Sequence, residues 1–154
     1  MNRPQVKVAC GALIVRGKTF VAVQQAKEYI KGKWDIPIGK LEYNEDILNC
    51  VRREVKEETG LRIKLTGVLG LYQQKSAIGN NIVKIIFTAT TKSTKFIYPQ
   101  HEIMNVQWIS FSECLSLPKA QLRSPDMKHM VQDYRKRGDF DLSIVHSLGF
   151  TKRT

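Results

Sequence analysis

Cysteine is scarce in this chain: Cys10, Cys50 and Cys114 are widely spaced, odd in number and form no C-x-x-C pair. That spacing supports neither a thiolate zinc site nor a disulfide framework, and the expectation is free thiols in a reducing cytosol. Long hydrophobic runs are missing too. No apolar stretch approaches a membrane span, and Met1-Asn2-Arg3-Pro4 opens without the apolar core of a signal peptide. A cytoplasmic protein with no membrane partner is expected. The third shortage is acid. Fourteen Asp and Glu face 25 Lys and Arg, for a formal net charge of +11. Six of those fourteen acids (Glu42, Glu45, Asp46, Glu54, Glu57 and Glu58) lie in one short segment. A concentrated acidic patch in a basic protein reads as a cation site within a field that attracts anions. An ordinary solvated surface of lysine and arginine would give the same total charge. Arg135-Lys136-Arg137 and Lys152-Arg153 are basic clusters that could touch RNA, but they lack interleaved aromatics and any RNA-binding motif.

At 154 residues, with no repeat, linker or low-complexity tract, the chain is expected to form a single domain over 1–154. Val6 to Val15 and Phe20 to Gln25 flank the turn Arg16-Gly17-Lys18 and read as a hairpin. Trp34-Asp35-Ile36-Pro37 is held extended by its proline. A helix follows, with Asn44 as the expected N-cap, Glu45 and Asp46 in its first turn and Gly60 as its stop. Arg62 to Tyr72, Ile82 to Thr90 and Val106 to Ile109 read as strands. Ser110-x-x-Glu113 is a capping box opening a short helix that Pro118 ends. Ser124-Pro125-Asp126 supplies cap, N1 proline and acid for a last helix closed by Gly138. Interspersed strands and helices predict an α/β fold, a mixed central sheet covered on both faces.

The chemistry lies in Gly39 to Leu61. At about 100° per residue, Glu54, Glu57 and Glu58 share one helix face. Ile47, Leu48, Val51 and Val55 form an apolar stripe beside it. The acids therefore border the buried face. Like charges four residues apart repel, and partial burial sharpens the repulsion. Arg53, four residues before Glu57, can pair with it but cannot neutralise three carboxylates. A divalent cation is the natural remainder, and an oxygen-only ligand set favours Mg²⁺ or Mn²⁺. A bare E-x-x-E-E triplet would by itself be read as a surface making salt bridges.

The rest of the segment changes that reading. Gly39, Glu45, Arg53, Glu54, Val55, Glu57, Glu58, Gly60 and Leu61 fill every fixed position of Gly-x5-Glu-x7-Arg-Glu-(aliphatic)-x-Glu-Glu-x-Gly-(aliphatic) over 23 residues without a gap. The chain thus resembles the Nudix (MutT-like) hydrolases, which implies the Nudix α/β/α sandwich. It also implies Mg²⁺-dependent cleavage of a phosphoanhydride, with one to three ions held by Glu54, Glu57, Glu58 and a backbone carbonyl at Ile38 or Gly39. Family members usually enter the box through Trp-x-x-Pro-Gly-Gly; here Trp34-Asp35-Ile36-Pro37-Ile38-Gly39 carries Ile38 in place of the first glycine. Ile38 keeps a backbone role only if its φ and ψ are allowed ones.

By the same resemblance Glu102, in the loop before Val106-Gln107-Trp108-Ile109, is a candidate further ligand or general base. One of the box acids, Glu57 or Glu54 among them, is the other candidate base, and Arg53 is expected to orient Glu57 without itself reacting. Lys40 and Trp34 are candidate substrate-binding residues, although Trp34 also reads as a packing residue. Arg3-Pro4-x-Val6-x-Val8-Ala9-Cys10 and Leu122-Arg123-Ser124-Pro125 are similar to the NudJ-like bacterial phosphatases, which act on nucleoside di- and triphosphates and a thiamine-precursor pyrophosphate. A non-hydrolytic nucleotide- or RNA-binding module on the same fold is the alternative, as is an RNA 5′-pyrophosphohydrolase. The substrate-reading loops are expected at Glu28 to Lys33 and Lys75 to Asn81. Both a monomer and a homodimer are compatible with the sequence.

Overall fold

The computed structural model describes residues 3–150; the basic pair Lys152-Arg153 lies outside them. Strand β1 (Val6–Arg16) turns into β2 (Thr19–Gln25), and two short strands follow, β3 (Trp34–Asp35) and β4 (Ile38–Lys40). Helix α1 (Ile47–Thr59) leads to β5 (Ile63–Lys75), β6 (Asn81–Thr91) and β7 (Ile103–Ser110). Helices α2 (Phe111–Ser116) and α3 (Asp126–Arg137) close the described order, and no helix here is long and apolar enough to cross a membrane.

The sheet is mixed, in the order β3-β2-β1-β6-β5, with β4 added to β1 and β7 to β2. β1 and β6 run parallel over nine residue pairs, Val6↔Asn81 to Ile14↔Ala89, while β4 is antiparallel to β1. The expected hairpin exists but is short, since β1 and β2 pair only at Val15↔Phe20 and Arg16↔Thr19. Beyond that the two strands diverge, and β1 exchanges β2 for β4. This exchange brings the start of the acidic segment onto the middle of the sheet.

Alternation along β1 sorts the core into two layers. Cys10, Ala12 and Ile14 face α1 and meet Cys50, Val51 and Val55. Ala9 and Leu13 face the other way, toward Met127, Met130 and Val131 of α3. Helices thus cover both faces, as expected. Gly11 is required by packing, because a Cβ there would lie 2.8 Å from the Pro37 carbonyl oxygen and from Ile38 Cβ.

Two expected caps are corrected. The N-cap of α1 is Asp46, whose carboxylate accepts from the Asn49 amide at 2.8 Å. Asn44 instead bends the chain two residues earlier with φ 59°, a left-handed conformation that asparagine tolerates better than most residues. Glu45 and Asp46 therefore precede the helix, which frees Glu45 to turn back toward it. At α3 the cap position belongs to Pro125, with no side-chain cap, and the Ser124 hydroxyl donates to Gln74 Oε1 at 2.8 Å. Gly60 (φ 75°) ends α1 and Ser110 caps α2 through the Glu113 amide, both as expected.

Asp46→Ala is expected to lower unfolding stability by about 1 kcal/mol in a urea titration. Asn44→Gly should leave it nearly unchanged, and the reverse ranking would return the cap to Asn44.

Candidate active site

Arg53 organises the acidic segment. Its Nε donates to Glu45 Oε2 at 2.6 Å and its Nη2 to Glu45 Oε1 at 2.9 Å, a two-point clamp. Nη1 reaches Glu54 at 2.7 Å and Glu57 at 3.3 Å, and Nη2 also donates to the Lys40 carbonyl at 3.0 Å. The pair with Glu57 expected from the sequence is therefore real but secondary. Glu45 is the principal partner, because the loop before α1 folds back onto the helix. Its carboxyl is held down at about 2, first by the Arg53 hydrogen bonds. The guanidinium in turn ties α1 to β4 through Lys40.

The three box glutamates have different surroundings. Glu57 is the open one, with its side chain 56% exposed, whereas that of Glu54 is 13% exposed. Burial raises the Glu54 carboxyl despite Arg53 beside it. Glu58 points inward. Burial, then the charges of Glu54 and Asp35, push its carboxyl well up, while the Ile38 amide and Arg123 oppose the rise. Its Oε2 is buried and has no hydrogen-bond partner among the described residues. A buried carboxylate oxygen left unpaired is costly and calls for a proton or a cation.

The backbone at β4 is shaped around these acids. A Cβ on Gly39 would sit 1.9 Å from Glu54 Cδ, so only glycine lets the strand lie against that carboxylate. Ile38 is no obstacle: its side chain is buried among Leu13 and Ile86, and its φ is negative, as Asn44 alone among the described non-glycine residues has a positive one. Among the described residues no three His, Cys, Asp or Glu side chains converge as a closed metal-ligand cluster. Glu54 and Glu58 form an incomplete oxygen set. That suits Mg²⁺, which keeps waters and shares its shell with phosphate.

Glu102 lies in the loop before β7 and lines an open cleft together with Glu57, His101 and Tyr98. The structure thus brings together the two glutamates that the sequence leaves 45 residues apart. Trp34 is not among the residues that line this cleft. It packs against the α3-side core, its strand partner is Gln24, and its carbonyl accepts from the Arg123 amide at 3.0 Å.

A cavity of about 180 Å³ opens on the α3 face beside β4. Lys7, Lys40, Lys84 and Arg123 contribute cations to its lining, and Asp35 an acid. Neither loop 28–33 nor loop 75–81 lines it. Lys84 is buried and bonded to Asp126 Oδ2 at 2.6 Å. Asp35 is buried too; burial raises its carboxyl to about 6 against the pull of Lys84 and Arg123. The sequence reading missed Asp35, Lys84, Arg123 and Asp126 as site residues. The available signal was a lone charge in an apolar run, as in Ile82-Val83-Lys84-Ile85-Ile86 and Trp34-Asp35-Ile36.

The family model of the NUDIX domain matches residues 5–134. The chain belongs to the Nudix family. Phosphatase NudJ of Escherichia coli is 27% identical over 157 residues, covering 99% of this chain and 98% of that protein. Nudix hydrolase 7 of Arabidopsis thaliana is 30% identical over 117 residues, and the match spans 72% of this chain but only 42% of that protein. A Nudix hydrolase structure from Nitrosomonas europaea superposes with a TM-score of 0.79 at 26% identity, covering 94% of this chain and 97% of that one. The Nudix motif residues Gly39, Glu45 and Arg53 thus have visible mechanical roles: room for Glu54, a clamp, and the link between helix and strand.

Two outcomes test that mechanics. Gly39→Ala should displace Glu54 and reduce catalysis about a hundredfold, the usual cost of misplacing a reacting group by an ångström. For Glu45 the folded-state value lies below the unfolded one, so its contribution is present above about 4.5 and is lost as pH falls toward about 2. Glu45→Gln should flatten that part of an acid-unfolding profile, and an unaltered profile would count against the clamp.

Proposed function

We propose that this Nudix protein is a divalent-cation-dependent hydrolase that cleaves the phosphoanhydride bond of a small nucleoside diphosphate or related pyrophosphate. The observation that carries the reading is the buried, unpaired Oε2 of Glu58 beside the half-buried Glu54. Two carboxylates crowded into a poorly solvated site raise each other's pKa, and a divalent cation relieves both burial and repulsion. Glu54, Glu57 and Glu58, with a backbone carbonyl at Ile38 or Gly39, would hold Mg²⁺ or Mn²⁺. When bound, the ion supplies Lewis acidity, neutralising the diphosphate and acidifying the attacking water.

The remaining work falls to residues of this chain. Glu57 and Glu102 face one open cleft, so either carboxylate is placed to accept a proton from water entering there. Arg53 touches no reacting atom; it positions Glu54 and Glu57. Lys40, Lys7 and Arg123 draw the anionic substrate toward the cavity beside β4, which receives the group beyond the phosphates. The full-length match to a protein named as a phosphatase supports this reaction class. The long relatives support it less directly, since the chain spans 38% to 52% of the length of the first few.

The test is a phosphate-release screen with Mg²⁺ across nucleoside di- and triphosphates, nucleotide sugars, dinucleoside polyphosphates and thiamine-type pyrophosphates. Glu57→Gln and Glu58→Gln are each expected to lower turnover roughly a thousandfold, equivalent to about 4 kcal/mol of transition-state stabilisation. Mg²⁺ should also raise the melting temperature of the parent protein and not that of Glu58→Gln. Near-normal turnover in both variants would remove the carboxylates from the reaction.

A further inference from the structure

β1 begins at the cavity, where Lys7 and Ala9 line the wall, and ends at Arg16. At roughly 3.3 Å per residue, Arg16 stands about 30 Å from Lys7. The ends of β5 and β6 meet it there, since Ile63 pairs with Thr91 and Lys64 with Thr90. Arg62, Lys64 and Lys92 line one open groove with Thr90, Thr91 and Ser93. Arg16 borders that groove: its Nη2 donates to the carbonyls of Thr91 at 3.4 Å and Ser93 at 3.5 Å. No acid lines the groove. None of these four cations forms an ion pair among the described residues. Like charges gathered without a counter-charge repel one another, and a bound polyanion relieves that repulsion.

The layout of the cluster says which polyanion fits. Its cations come from the ends of three neighbouring strands, about 4.8 Å apart. They form a row that meets successive charges and not a cup around one phosphate. Arg16 adds a flat surface. Its guanidinium carbon lies 4.2 Å from the centroid of the Trp108 ring, and Trp108 packs against Phe96 at 6.5 Å. The indole and the two carbonyls hold the guanidinium in place while the side chain stays exposed. A guanidinium plane held this way is a stacking surface for a nucleobase. Arg135-Lys136-Arg137, the basic run visible in the sequence, lacks such an arrangement of cation and aromatic rings. An acidic peptide or a lipid surface would satisfy the charge but offers no planar ring beside each anion.

We propose that this end of the sheet is a docking site for single-stranded nucleic acid. Arg62, Lys64 and Lys92 hold consecutive phosphates, and an unpaired base stacks on Arg16. A duplex keeps its bases stacked inside and cannot use Arg16, so single strands bind in preference. The site uses none of the acidic residues of α1 and does not depend on the hydrolase reading.

The experiment is fluorescence anisotropy of the full chain with a labelled oligouridylate that bears no 5′ phosphate. EDTA is present throughout, so binding is read apart from any metal-dependent hydrolysis. Three phosphate contacts predict a slope of about −2 for log affinity against log salt, at about −0.7 for each contact. Replacing Arg62, Lys64 and Lys92 together by Gln should flatten that slope and weaken binding at least about tenfold at low salt. Arg16→Lys keeps the charge but loses the plane; it should weaken binding about tenfold with the slope unchanged. Arg135→Gln combined with Lys136→Gln should alter neither quantity. All these side chains are exposed, so the variants are expected to fold, and a retained cooperative melting transition checks this. No binding at low salt overturns the proposal. So does equal competition by polyglutamate of the same charge, or an Arg16→Lys variant that binds like the parent. An equal loss in the Arg135 and Lys136 variant also overturns it, because net charge would then be the cause.

Discussion

The acidic site depends on one guanidinium. Arg53 bonds Glu45 at two points, reaches Glu54 and Glu57, and donates to the Lys40 carbonyl. It therefore fixes three things together: the loop before α1, the rotamers of two acids and the distance from helix to strand. A lysine would provide one point charge in place of this planar fork and could not hold loop, helix and strand at once. The arrangement also explains the depressed carboxyl of Glu45 beside the raised ones of Glu54 and Glu58. The acid nearest the fork is neutralised by it. Glu58, which accepts no hydrogen bond from Arg53 among the described residues, keeps a carboxyl raised by burial and by the charge of Glu54.

That division of labour required the sheet to be built as it is. β1 gives up β2 after two residue pairs and takes β4, whose Gly39 permits Glu54 to lie against the strand. Gly11 opposite Ile38 allows β4 to close onto β1. Each glycine is defined by a collision that any side chain would cause, and neither depends on an unusual φ. Together they bring the backbone within reach of the helix, so that carboxylates on one face of the sheet and cations on the other meet at the end of one short strand.

Much of this was legible in the sequence. Helical spacing put the glutamates on a common edge, the turn Arg16-Gly17-Lys18 marked the hairpin, and Gly60 and Ser110 ended and began helices where local chemistry said they would. The readings that changed share a cause. Asn44 and Ser124 are good caps by residue type, yet local propensity cannot tell that Asp46 stands closer to the helix or that Gln74, fifty residues away, claims the serine. Arg53 seemed to belong to Glu57 because only intrahelical neighbours can be counted from sequence, whereas Glu45 reaches it through a loop whose path is tertiary. Asp35, Lys84 and Asp126 escaped notice for the same reason. A buried charge shows its function only when its partners are in place.

Those buried charges bear on how reaction and recognition are separated. On the proposed reading the acids of α1 serve the phosphates, which every candidate substrate shares, so their geometry carries no information about the rest of the ligand. The cavity on the α3 face is lined from β1, β3, β4, β5, β6 and the segment entering α3, so it meets the box at Ile38 and Gly39 while no box carboxylate lines it. The Lys84–Asp126 pair has a further consequence. Dismantling one partner would leave a charge uncompensated in a buried place, so this wall resists change more than the aliphatic ones.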